Sequence, residues 1–186
     1  MSAEDPKAPG TPSPSPAPAA PAPPAVAKSG KKPDAIEQKL LQMLHKLPEM
    51  PPALGSYVPA LRMGNLLYIS GQLPIFKNSL GAYKGRLGKE ITLEAAQRGA
   101  KQCTLNALAL AKGELGSLEK IRRVVKLTGF VAGMPGFHDQ AKVMNAASEL
   151  LVELYGESGK HVRVAVGVTD LPMGACVEIE YLFEVR

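Results

Sequence analysis

The 186-residue sequence has no tryptophan, two cysteines and three histidines, and aromatic residues make up only 5% of it. Cys103 and Cys176 show no metal spacing and build no disulfide framework. His45, His138 and His161 stand far apart, and none falls in a ligand-spaced cluster with cysteines or carboxylates. No resident metal is therefore expected. No serine or cysteine sits in an evident catalytic triad. No stretch is long and apolar enough to span a membrane, and no basic start leads into an apolar core of the secretory kind. An excess of one charge is missing too. The 22 Lys and Arg against 17 Asp and Glu leave +5, with no basic run interleaved with aromatics. That argues against a nucleic-acid partner. A cytoplasmic location is the default expectation.

Proline is plentiful but uneven, since ten of the 17 precede Asp34. Residues 1–33 are mostly Pro, Ala, Ser and Lys, and cannot bury enough apolar area to offset their ordering entropy. This tail is expected to be disordered or locally polyproline II. Residues 34–50 read as a short amphipathic helix and linker. Apolar residues at 36, 40, 43, 44 and 47 recur at helical spacing, with Asp34 as N-cap and Pro48 to Pro52 as the stop. The stripe needs a surface, most simply that of the folded domain at 51–186.

That domain reads strand, strand, strand, helix, strand, helix, strand, strand. Strands are expected at Tyr57–Met63 and Leu66–Ser70 around a Gly64-Asn65 turn, with a weaker one near Ala82–Leu87. Thr92 caps a helix to about Leu115, whose stripe of Ala96, Ala100, Cys103, Ala107 and Leu110 suits close approach to a sheet. Ile121–Val131 is strand-like. A second helix follows Pro135-Gly136, with Val143, Ala147, Leu150 and Leu154 on one face. In His161–Val168 valines occupy the even positions, and in Cys176–Val185 apolar residues occupy the odd ones. Alternation of period two then gives one apolar face for the two helices and a second face bearing Arg163, Glu178 and Glu180. This is a two-layer α+β architecture. The second face also carries Leu182 and, depending on register, Leu66 or Phe130. A half-apolar open face needs a cover, and self-association suits it better than the tail.

Three blocks, GNLLYISGQLP at 64–74, VVKLTGFV at 124–131 and RVAVGVTDLP at 163–172 followed by VEIE at 177–180, resemble the RidA/YjgF family. Its members include reactive-intermediate deaminases, and many are described as L-PSP endoribonucleases. The resemblance spans Tyr57 to Arg186. It implies a chorismate-mutase-like mixed sheet with two helices on one face, assembled as a homotrimer with sheets packed inward and sites between subunits. It also implies hydrolysis of 2-imino and 2-enamino acids, such as 2-aminoacrylate, to 2-keto acids and ammonia, without metal or organic cofactor. By the same resemblance Arg163 binds the substrate carboxylate and Glu178 places or activates water. Tyr57, Gly71 and Asn145 line the substrate pocket. The chemistry agrees, because a guanidinium fork grips a planar carboxylate and a second carboxylate can handle the proton. Ala165 stands where many deaminases have cysteine, and Val164 replaces a small hydroxyl residue. The Phe137–Gln140 spacing, the Asn78–Gly88 loop and the helix at 34–47 mark a divergent subgroup. Two other readings are a non-catalytic trimer that binds small carboxylates and an endoribonuclease acting on single-stranded RNA.

Overall fold

Asp34 caps the first helix in both directions. The computed structural model describes residues 32–49 and 55–186. The expected tail, apart from Lys32 and Pro33, lies outside the described residues, as do the prolines at 51 and 52. The Asp34 carboxylate accepts the Glu37 N–H at 2.9 Å, and the Glu37 carboxylate accepts the Asp34 N–H at 3.2 Å. This capping box starts α1 (Ala35–Gln42). The helix stops short of residue 47. Leu44 takes φ +60°, its N–H donates to the Leu41 carbonyl, and the His45 N–H donates to that of Leu40. That closing turn is a Schellman motif. Leu44, assigned to the apolar stripe from spacing, is instead 94% exposed. Ile36, Leu40, Met43 and Leu47 do face the core. α1 is pinned by the second Asp34 carboxylate oxygen, which accepts from the Leu118 N–H and the Ser117 hydroxyl at 2.7 and 2.6 Å. Glu37 pairs with Lys112 beside it.

Five strands make one sheet: β1 (Ala60–Met63), β2 (Leu66–Gln72), β3 (Ile121–Ala132), β4 (Val162–Val168) and β5 (Val177–Val185), in the order β1-β2-β5-β3-β4. β3 and β4 run parallel, and the other neighbours are antiparallel. Gly64, at φ +59°, makes the β1–β2 turn. The weak strand expected at Ala82–Leu87 does not form. Gly81, Gly85 and Gly88 all take positive φ, which breaks extended backbone into a short 3-10 turn and isolated bridges from Lys84 and Leu87.

Two long helices, α2 (Leu93–Leu115) and α3 (Gln140–Tyr155), cover one face of the sheet. Thr92 caps α2 through its hydroxyl, and Gly116, left-handed at φ +77°, ends it. The expected stripe of Ala96, Ala100, Cys103, Ala107 and Leu110 is buried. Its small side chains let α2 lie close on β5. Val177, Ile179, Tyr181, Phe183 and Val185 meet it there, as the alternation in β5 requires. Among the described residues no helix is long and apolar enough to cross a membrane.

The faces of β4 are the reverse of the expectation. Arg163 registers with Leu127 of β3, which registers with the buried Tyr181 of β5, so Arg163 points to the helix side. Val162, Val164 and Val166 lie on the open side, exposed by 66, 44 and 40%. Across that open face one row runs Leu61, Tyr68, Leu182, Lys126, Val162. Phe130 and Glu178 share another with Val166, and Leu66 registers with Glu184 on the same face. The open face is thus more apolar than the half-polar surface expected.

Candidate functional site

The edge strand β4 sets Arg163 against α3. Its Nη1 donates to Ser148 Oγ at 3.0 Å, and its Nη2 donates to Asn145 Oδ1 at 3.1 Å and more weakly to the Ala141 carbonyl at 3.4 Å. Asn145 and Ser148 are three apart on α3 and so share a face. All three acceptors are neutral. Among the described residues Arg163 takes part in no ion pair. A cation held by neutral dipoles keeps its affinity for an anion, and two of its five donors remain to bind one. Behind it, Ser148 Oγ lies 3.0 Å from His161 Nε2, and His161 Nδ1 lies 2.6 Å from the Gly159 carbonyl oxygen. Burial holds the imidazole below its ordinary pKa, and the nearby Arg163 charge acts the same way.

Glu178 is on the other face of the sheet, two strands away on β5. Its carboxyl packs over Gly71, where a side chain would collide with it, since an added Cβ would sit 2.8 Å from Glu178 Cδ. Gly71 occupies the irregular step between Ile69 and Gln72, where β2 carries one residue more than β5. A bulge and a close side-chain approach thus coincide at this glycine. Partial burial raises the Glu178 pKa, and Glu180 on the same face raises it further. Tyr57 lies in the bend before β1, 44% exposed.

The five residues thus form three groups in one chain. Arg163 with Asn145 lies at the β4 edge on the helix side, Glu178 with Gly71 lies mid-sheet on the open side, and Tyr57 lies by the β1 edge. Four strand spacings separate the two edges, roughly 19 Å. Sequence reasoning missed Ser148 and left His161 without a role. The signal for Ser148 is its helical spacing from Asn145. Both cysteines are buried, with their thiols pushed up by burial, Cys176 to about 12. Ala165 faces the core.

A family model described as "YjgF/chorismate mutase-like, putative endoribonuclease" matches residues 37–185. Protein TCP17 of Trypanosoma cruzi is 41% identical over 143 residues, which are 76% of this chain and 88% of its own. The crystal structure of Atu1372 from Agrobacterium tumefaciens, a protein of unknown function, superposes with a TM-score of 0.77 at 44% identity, covering 82% of this chain and 94% of that one. A 2-iminobutanoate/2-iminopropanoate deaminase of Dermatophagoides farinae is 29% identical over 133 residues, 72% of this chain and 88% of its own. The mixed sheet under its helices is the YjgF/chorismate-mutase-like fold. The chain belongs to the RidA/YjgF family.

Proposed function

We propose that the protein is a homotrimeric hydrolase of small 2-imino and 2-enamino acids, releasing 2-keto acid and ammonia. The observation that carries this reading is the Arg163 guanidinium, oriented by three neutral acceptors and paired with no anion among the described residues. A 2-imino acid supplies the missing carboxylate and brings its electrophilic carbon next to the anchor. An enamino acid first becomes the imine by gaining a proton at C3 and losing one from nitrogen. Water then adds to the C=N carbon, the carbon–nitrogen bond breaks as the nitrogen is protonated, and the nitrogen leaves as ammonia. A carboxyl with a raised pKa suits the proton transfers, and Glu178 is such a group. The deaminase from Dermatophagoides farinae lends this chemistry a precedent within the family.

The trimer is supported by two features. The open sheet face is rich in exposed apolar residues. The candidate residues also lie too far apart to share one pocket within a chain, so a pocket combining them requires a neighbouring copy. A cyclic assembly meets both needs, because each copy then offers one part of its surface to the next.

The test generates 2-aminoacrylate with a serine dehydratase and follows pyruvate release with wild-type protein and Arg163→Ala. Acceleration by wild type that disappears in the variant is expected. Unchanged decay with wild type overturns the deaminase reading. Binding of a 2-keto acid without turnover would then point to a carboxylate-binding protein, and metal-independent cleavage of single-stranded RNA to an endoribonuclease.

A further inference from the structure

The polar chain behind Arg163 has a fixed direction. The Gly159 carbonyl can only accept, so His161 Nδ1, 2.6 Å away, carries a proton. On a neutral ring Nε2 is then an acceptor. The Ser148 hydroxyl, 3.0 Å from it, donates there, which leaves the lone pairs of Ser148 Oγ for the Arg163 Nη1 donor at 3.0 Å. Each hydrogen bond is set by the one before it, starting from the backbone. Asn145 fixes the other nitrogen of the guanidinium. The plane of the guanidinium is therefore determined from both ends.

We propose that Ser148 and His161 are positioning residues for the carboxylate anchor: His161 orients the Ser148 hydroxyl, and Ser148 holds the Arg163 guanidinium in the plane that receives a carboxylate. The inference rests on the reading of Arg163 as a carboxylate-binding residue. It deepens that reading by naming the device that keeps Arg163 ordered while unoccupied. Arginine has many rotamers, and immobilising it before the ligand arrives removes an entropic penalty from binding. A helix–strand tie with no bearing on the ligand would need the same hydrogen bonds, so the decisive readout is ligand affinity in proteins that fold normally.

The experiment measures 2-oxobutanoate binding to full-length protein by calorimetry. It compares wild type with Ser148→Ala, Ser148→Thr, Ser148→Val, His161→Gln, His161→Phe and Arg163→Ala, with melting temperatures alongside. Ser148→Ala removes a hydrogen bond to the charged guanidinium and is expected to weaken binding about tenfold. His161→Phe, which leaves the Ser148 hydroxyl free to turn, is expected to weaken it in the same direction but less. Ser148→Thr keeps the hydroxyl and His161→Gln keeps an acceptor, so both are expected to bind within about twofold of wild type. Thr and Val have nearly the same shape, so the Thr-to-Val difference at residue 148 isolates the hydroxyl even if Ser148→Ala proves unstable. Equal affinities for Ser148→Thr and Ser148→Val, with no binding by Arg163→Ala, would overturn the positioning role and leave the carboxylate reading intact. Wild-type affinity in Arg163→Ala would overturn both.

Discussion

Arg163 and Glu178 lie on opposite faces of a single sheet. Arg163 registers through Leu127 with the buried Tyr181 and is tied to α3, whereas Glu178 registers with Phe130 on the open side and packs over Gly71. In the proposed trimer, a reaction that uses both groups would draw them from different copies of the chain. Tyr57, by the far edge of the sheet, is subject to the same geometry.

Gly71 tests how Glu178 is held. A methyl group there would overlap the carboxyl, which is the free end of a flexible side chain and can swing aside. Gly71→Ala is expected to change the unfolding free energy by less than about 1 kcal/mol. Its effect on 2-aminoacrylate hydrolysis should be much larger, about tenfold or more in kcat, if Glu178 handles the proton. Urea denaturation and steady-state kinetics on one preparation check this. A large loss of stability with unchanged kcat would assign Gly71 to the fold alone.

Leu44 carries strain that nothing repays. It occupies the left-handed position of the Schellman turn after α1 while its side chain is 94% exposed. Glycine adopts that conformation without a Cβ clash, and no packing is lost by the exchange. Leu44→Gly is expected to raise stability by roughly 0.5–1 kcal/mol, read from the urea midpoint at constant slope.

His161 gives stability a pH dependence of definite sign. Its folded pKa is held below the ordinary value of 6.5, chiefly by burial. The unfolded chain therefore binds the proton more tightly, and stability is fully present above about 6.5 and falls as the pH drops below it. The raised pKa of Glu178 acts in the opposite direction, but is common to wild type and a His161 variant. Urea midpoints at pH 7.5 and 5.5 should fall further in wild type than in His161→Gln. Equal falls would mean that the ring is not held neutral.

Much of the fold is legible in the sequence. The Thr92 cap, the small-residue stripe of α2, the apolar period of β5 and the docking of α1 all follow from local chemistry that the folded chain keeps. β4 was misread for a physical reason. Period two separates two faces but does not say which one meets the helices, and the usual guide is that the more apolar face is buried. In β4 the valines lie on the open side, whereas Arg163, Ala165 and Gly167 face α3. The guide fails in β4 because its valines face away from the helices, onto an open face that is itself rich in apolar residues. Arg163, Asn145, Gly71 and Glu178 could be singled out in the sequence, and two pairs of them do meet. Their division between the faces could not, because it depends on strand order and on the bulge at Gly71. The spacing of Ser148 from Asn145 puts the two on one helix face, but it points to a role for Ser148 only once Arg163 is known to face α3.

The most direct test of a site shared between copies is complementation. Arg163→Ala and Glu178→Ala chains are purified separately, unfolded together in equal amounts, refolded, and assayed for 2-aminoacrylate hydrolysis. In a cyclic assembly each site takes Arg163 from one chain and Glu178 from the next, so about a quarter of the sites in the mixture should be intact. The expected result is that neither variant alone is active and that the mixture recovers about a quarter of wild-type activity. A mixture that oligomerises normally but stays as inactive as its components would contradict a site divided between subunits.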